Sequence, residues 1–296
     1  MLRIECFHRV LPENLRDEQW PYFTRGTAMT VDAFTHYIDA LSREYEFVHE
    51  QEAHSLLTSA GSSRRACWVT FDDGYLDNLR FAAPVLERFG VRPTLFMTTR
   101  AMGGGWWPPV DCWYAWLRAA ESEAIEVTHG GLTERWDLST DTGRQRAVVG
   151  DLKARYIESS DSDRASFLSA LARAISHEEH ASPPRFLGED ELVELSTRGW
   201  FVGPHGHEHR LLTRATPTAL RTELLTSHQA LDALPLKHRS RWFAYPDGRF
   251  DEASMSLVSS TFAPLGYVGA LTIDGRDASL GDHVWALPRH IAGVHM

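Results

Sequence analysis

Cysteine is scarce in this chain, long apolar runs are absent, and so is any cluster of basic residues. Each shortage removes a class of protein. The only cysteines are Cys6, Cys67 and Cys112, an odd number with no C-x-x-C pair. That argues against a disulfide framework and against a cysteine zinc site. The three read instead as buried free thiols in a reducing compartment. No stretch approaches the roughly 20 apolar residues that span a bilayer. The start, MLRIECFHRVLPEN, has no basic segment followed by an apolar one, so no secretory signal is visible. The expectation is a cytoplasmic protein with no membrane insertion. A formal net charge of -10 without a Lys/Arg-rich run argues against nucleic acid and against a polybasic membrane anchor.

What is present suits a globular domain. The 296 residues are 43% hydrophobic and 24% charged, enough for one large domain with a sizeable core. The 15 histidines and 10 tryptophans are a bias shared with metal and carbohydrate sites, although composition alone assigns neither. Strands are expected at 2–10, 46–49, 66–71 and 92–99. Helices are expected at 30–45, with Thr30 as N-cap and Phe34, Ile38 and Leu41 at helical spacing, at 51–60 closed by GSS, and at 76–90. ACWVTF (66–71) is continuously apolar, as strands buried on both faces of a parallel sheet are. With the helix and strand after it, it makes a βαβ unit. From 189 the alternation resumes: helix, strand WFVG, helix 216–235, strand RWFAYP, helix 251–266, strand YVGALT. Between these halves, about 101–188 begins with a glycine- and tryptophan-rich loop and continues as mostly polar helix, read as an insertion. About seven strands with intervening helices point to a (β/α) barrel, complete or not, in which active residues lie at the C-terminal strand ends.

Three places at such ends carry polar residues that packing does not require. Asp72 and Asp73 follow the strand WVTF. One aspartate there is a helix cap. Two would raise each other's pKa unless a cation intervened. A divalent metal resolves the conflict, with one carboxylate bound and its neighbour free to move protons. The second place is GPHGHEHRLLT (203–213). His205 and His209 are four apart and can put two imidazoles on one side of a tight turn, with Gly206 supplying the backbone freedom. His207 is expected behind the ligands or on the surface. Two imidazoles and a carboxylate leave an open coordination position, as catalytic zinc needs. The third is FAYPDG (243–248), a plain turn or a rigid turn whose backbone N–H groups face the substrate oxygen. Together these make a hydrolase site in which Asp72 takes a proton from water. His8, at the end of the first strand, is either the acid that protonates the leaving group or a core residue.

TFDDG, H-x-x-x-H and FAYPDG, in this order, resemble the motifs of the polysaccharide deacetylases, the NodB-homology or carbohydrate esterase 4 family. FHRV, VDAFTHYIDAL and GYVGALT…WALPRHI extend the likeness, so that it covers about 1–100 and 189–292. The resemblance implies an α/β fold, a deformed (β/α)7 barrel with a helical insertion, forming a single domain over 1–296. It implies a divalent metal, Zn2+ before Co2+ or Ni2+, and removal of acetyl groups from N-acetylated amino sugars. By position, Asp72 matches the base, and Asp73, His205 and His209 match the metal ligands. Many members carry an arginine in the third motif, where this chain has Ala244, Tyr245, Pro246 and Asp247. Tyr245 and Asp247 are expected near the substrate oxygen, and Arg289 is a substitute for the missing arginine in steering Asp72. The FAYP form resembles the subgroup acting on poly-N-acetylglucosamine, whose acid corresponds to His8, with His290 as the rival. Trp106 and Trp107 either stack on sugar rings or pack the insertion onto the barrel. Two other readings fit the same residues: an amide hydrolase of a small non-polymeric metabolite, and an inactive carbohydrate-binding protein.

Overall fold

The computed structural model describes residues 1–58, 64–175 and 183–292. Its strands are β1 (Leu2–Phe7), β2 (Arg9–Leu11), β3 (Ala28–Thr30), β4 (Glu46–Val48), β5 (Ala66–Phe71), β6 (Thr94–Met97), β7 (Ala124–His129), β8 (Leu132–Asp137), β9 (Phe201–Pro204), β10 (Trp242–Ala244), β11 (Gly269–Leu271) and β12 (His290–Ile291). All six residues of β5 are buried, as its unbroken apolar run requires. It pairs in parallel with β1 along its whole length, Leu2 opposite Ala66 through Phe7 opposite Phe71. The sheet runs β12-β1-β5-β6-β9, with β4 also on β5, and every pair is parallel. β10 and β11 form a second parallel pair. Parallel bridges tie this pair's neighbourhood to the larger sheet: Val202 of β9 to Arg239, and Leu271 of β11 to Leu287, just before β12. An α/β fold with parallel sheet and packed helices is thus in place, with β6 between β5 and β9 and their C-terminal ends on the same edge of the sheet.

Local rules explain most elements. The helix Val31–Glu44 starts where Thr30 accepts from the Ala33 N–H at 3.2 Å, and it buries Phe34, Ile38 and Leu41. The expected helix 76–90 is in two parts, a π-turn over Asn78–Ala82 and a helix Ala83–Arg88. Pro84 has no N–H to continue an ordinary ladder through the join. The strand expected at 2–10 breaks at His8, after which β2 pairs with β3 instead of the main sheet. The helix expected at 51–60 is seen as Glu50–Thr58, and the closing GSS lies outside the described residues.

Segment 101–188 is not helix alone; its residues 176–182 lie outside those described. Four helices are there, Pro109–Ala119, Asp141–Val149, Asp151–Glu158 and Asp161–Ile175, but β7 and β8 form an antiparallel hairpin between the first two. Its turn is Gly130-Gly131, both at positive φ (57° and 76°), the backbone a two-residue hairpin demands. Ile125, Val127 and Trp136 fill one face. These side chains join Trp113, Phe167 and Phe71 in one continuous hydrophobic cluster, so this segment shares the core of the sheet. No helix among the described residues is long and apolar enough to cross a membrane.

Candidate active site

The two aspartates reach one cavity because the backbone turns sharply after β5. The Asp72 N–H still follows the ladder, donating to the Phe7 carbonyl at 2.9 Å. Asp73 then takes a left-handed conformation (φ 73°) and Gly74 another (φ 90°). A Cβ on Gly74 would lie 2.0 Å from Met97 Sδ, so glycine is required there by both space and backbone. His205 follows β9 and its Nδ1 lies 2.9 Å from the Ala244 carbonyl, which turns Nε2 towards the aspartates. Nε2 is 3.6 Å from Asp73 Oδ1 and 3.8 Å from Asp72 Oδ2. His209 (φ 52°) brings its Nε2 to 3.4 Å from Asp73 Oδ1. The donor atoms of Asp73, His205 and His209 all lie within 4.8 Å of one another. His207 stands apart, with Nδ1 3.0 Å from Thr99 Oγ1.

Asp72 is held by Arg289. Two parallel bonds of 2.7 Å run from Nη1 to Oδ1 and from Nη2 to Oδ2. Arg289 is fully buried and also donates to Thr70 Oγ1 and to the Thr272 carbonyl. Burial pushes the Asp72 carboxyl up, but Arg289 and then His205 outweigh it and hold the group well below the usual carboxylate range. Among the described residues Asp73 has no such partner. Burial pushes it up to about 7, against the pull of His209, and the nearby Asp111 and Asp72 add to the rise. His205 is lowered to about 3 by burial. In His209 burial is outweighed by Asp73, Asp247 and Asp111, and its pKa rises. A carboxylate beside two imidazoles, with acid in excess around them, is a donor set that fits a divalent cation.

His8 lines the same cavity, and among the described residues its buried Nδ1 has no hydrogen-bond partner. Burial lowers its pKa to about 4. Donor atoms of His8, Cys6 and Asp72 fall within 4.8 Å of one another. His290 does not line this cavity; its Nε2 is 2.9 Å from Asp277 Oδ1. The structure brings Asp247 to the cavity and leaves Tyr245 out of its lining. The Tyr245 N–H donates to the Leu271 carbonyl and its hydroxyl to the Trp285 carbonyl, so neither is available to a substrate oxygen. Asp247 sits at φ 55° in the turn. Trp106 lines an adjoining cavity and lies under Arg100, whereas Trp107 lines neither cavity.

Several residues escaped sequence reading. The cavity, about 240 Å³, is walled in part by Pro108, Asp111, Tyr114 and Lys153 from segment 101–188. Asp111 is fully buried and accepts from the hydroxyls of Tyr22 (2.6 Å) and Tyr75 (3.0 Å). Glu223 is buried under the histidine loop and accepts from the backbone N–H groups of Glu208 (2.7 Å) and Arg210 (3.3 Å). It fixes the turn that presents His209. Glu223 looked like any polar residue of an amphipathic helix, and only its bonds to backbone N–H groups 13 and 15 residues earlier make it a brace. Asp111 carried no signal beyond standing next to the tryptophan loop.

Residues 155–262 match the family model described as polysaccharide deacetylase. The match takes in the histidine and FAYPDG motifs and begins inside segment 101–188; TFDDG lies before it. The candidate polysaccharide deacetylase YxkH of Bacillus subtilis (strain 168) is 21% identical over 246 residues, 83% of this chain. The chain spans 58% of that relative's length. Among solved structures, the deacetylase PplD of Streptococcus pyogenes, in complex with acetate, superposes with a TM-score of 0.62 at 17% identity, covering 100% of this chain and 93% of that one. IcaB from Ammonifex degensii gives 0.60 at 18%, covering 98% and 91%. The chain is thus similar to polysaccharide deacetylases, over residues 155–262 in the family match and across the whole fold in the solved structures.

Proposed function

We propose that this protein is a metal-dependent hydrolase that removes acetyl groups from N-acetylated amino sugars, whether polysaccharide, oligosaccharide or sugar conjugate. The observation that carries the reading is the convergence of Asp73, His205 and His209 beside an Asp72 that is held separately by Arg289. The fold reading extends likewise: the bridges around β10 and β11 are those expected of a deformed (β/α)7 barrel, one domain over 1–296 with an insertion at about 101–188. The FAYP turn supports the poly-N-acetylglucosamine-like subgroup, and PplD, which shares the fold, was solved with the product that such a reaction releases.

Asp73, His205 and His209 would hold the cation, Zn2+ for preference and Co2+ or Ni2+ as alternatives, given two imidazoles and one carboxylate. When bound, it supplies Lewis acidity to the amide carbonyl and lowers the pKa of water. Asp72 accepts the proton that water loses on attack. Arg289 keeps its carboxylate ionised and fixed in direction, the part that the arginine of the usual third motif would play. His8 is neutral at rest and has to gain a proton before it can give one. Asp72 is near enough to be the source. A proton that passes from Asp72 to His8 and then to the leaving nitrogen closes the cycle. Asp247, rather than Tyr245, is the polar group of the turn that meets substrate in the cavity.

The test is acetate release from N-acetylated sugars by the purified chain, with metal content measured alongside. Acetate from at least one sugar, lost in Asp72→Asn while metal is kept, supports the reading. A chain that takes up no zinc and releases no acetate is a binding protein instead.

A further inference from the structure

Segment 101–188 places one cationic group in the cavity wall, and the proposed chemistry does not use it. Lys153, on the helix Asp151–Glu158, is only 6% exposed and lines both cavities at their junction. Three rings bed it, with the centroids of Trp113, Tyr114 and Tyr156 at 4.8, 5.6 and 5.2 Å from Nζ. Among the described residues no carboxylate comes within ion-pair distance of it. A buried ammonium without a counter-ion is costly. Cation–π attraction offsets part of that cost, but the rings do not satisfy the three N–H donors. Burial lowers its pKa to about 8, with Asp247 opposing, so it remains largely charged at neutral pH.

The adjoining cavity, about 350 Å³, supplies an independent observation. Arg100, Arg164, Arg210 and Lys153 line it against Glu208 and Asp247, four basic side chains to two acidic ones. In a chain of net charge -10 this is a local inversion of sign, and a charged cleft concentrates ions of the opposite sign. Arg100 and Arg210 are anchored on Glu208, and Arg164 on the carbonyls of Tyr156 and Ile157. Lys153 has no such anchor. Resting on the deacetylase reading of the same site, we propose that the substrate is an N-acetylated amino sugar bearing an anionic substituent, phosphate or carboxylate, that docks on Lys153 while its acetamido group lies at Asp72 and Asp73.

Acetate release by the metal-loaded chain is to be compared for N-acetylglucosamine 1-phosphate, N-acetylmuramic acid and N-acetylglucosamine. The kcat/KM for at least one anionic probe should exceed that of the neutral sugar by about tenfold, the size of one charge-assisted hydrogen bond. The phosphate and carboxylate arms tell the two sources apart. Lys153→Met, which keeps the stem, should raise KM for the preferred probe by about tenfold, with a much smaller change for the neutral sugar, and Lys153→Arg should restore most of the preference. Equal use of the neutral sugar, or equal slowing of all three by Lys153→Met, overturns the inference. Acetate from the neutral sugar alone leaves the deacetylase reading standing and removes the anion site; acetate from none ends both. Should Lys153→Met fail to fold, calorimetry on the Asp72→Asn chain decides: the proposal requires N-acetylglucosamine 1-phosphate to bind more tightly than N-acetylglucosamine.

Discussion

The cavity has two walls built by different rules. One is the strand-end cluster, where Asp72 and Asp73 follow β5, His205 and His209 follow β9, and Arg289 precedes β12. There every functional side chain is fixed by a backbone constraint or a short polar bond: positive φ at Asp73 and His209, the Ala244 carbonyl on His205, the Arg289 fork on Asp72. The other wall comes from segment 101–188, where Tyr114 and Lys153 stand on helices held by tryptophan packing. On the proposed reading, the first wall carries the groups that the chemistry demands in fixed geometry. The second carries groups that shape what enters. A site of this kind can keep its reaction while its second wall changes substrate.

The sharpest way to break that contrast is to strike the first wall. His205→Ala should lose metal and turnover together. Asp72→Asn should keep the metal and lose activity by about 100- to 10,000-fold, the usual worth of a general base. Metal analysis beside acetate assays checks both; metal retained in His205→Ala would mean that the ligands are misassigned. His8→Ala should slow turnover without lowering metal occupancy, and an unchanged rate would return His290 to consideration.

The walls differ in how they bear on stability. Arg289→Met leaves Asp72 as a buried, uncompensated charge and should cost about 3–5 kcal/mol by urea unfolding. Adding Asp72→Asn should recover much of it. If the single variant is as stable as the parent, the ion pair does not hold Asp72. Trp113→Ala opens the shared hydrophobic cluster and should cost about 3–5 kcal/mol. Because that cluster runs from Trp113 to Phe71, unfolding should remain one transition. Two separate transitions would show that the segment folds on its own.

The smallest effect is a pH slope away from both walls. Glu50 is buried, with Oε2 accepting from Thr94 Oγ1 and Oε1 from the Arg241 N–H, and burial raises its pKa from 4.5 to about 7. Its folded form keeps a proton that the unfolded chain has already lost, so stability falls as pH rises from 4.5 to about 7 and is level above. Glu50→Gln should flatten that part of the profile by on the order of 3 kcal/mol. Unfolding at stepped pH, parent against variant, isolates this group; parallel profiles would exclude it.

Legibility followed how local each constraint is. The strand ACWVTF, the Thr30-capped helix and the histidine turn could be read because each depends on neighbours in sequence. The β7–β8 hairpin was missed even though Gly130-Gly131 marks its turn, since the polar alternation around it passed for helix. Tyr245 was expected at the substrate, but its N–H and hydroxyl are taken by Leu271 and Trp285, partners 26 and 40 residues away in a chain that gives no hint of either contact.

By itself the sequence singled out the proposed reacting set, because chemistry restricts those places to aspartate, histidine and the glycines that let them turn. Tertiary structure decided the rest. The pairing of Asp72 with Arg289, 217 residues on, the brace at Glu223 and the cationic wall at Lys153 exist only once distant strands and helices meet. The physical reason is that a buried charge is defined by what surrounds it, and its surroundings are assembled by the fold and not by its neighbours along the chain.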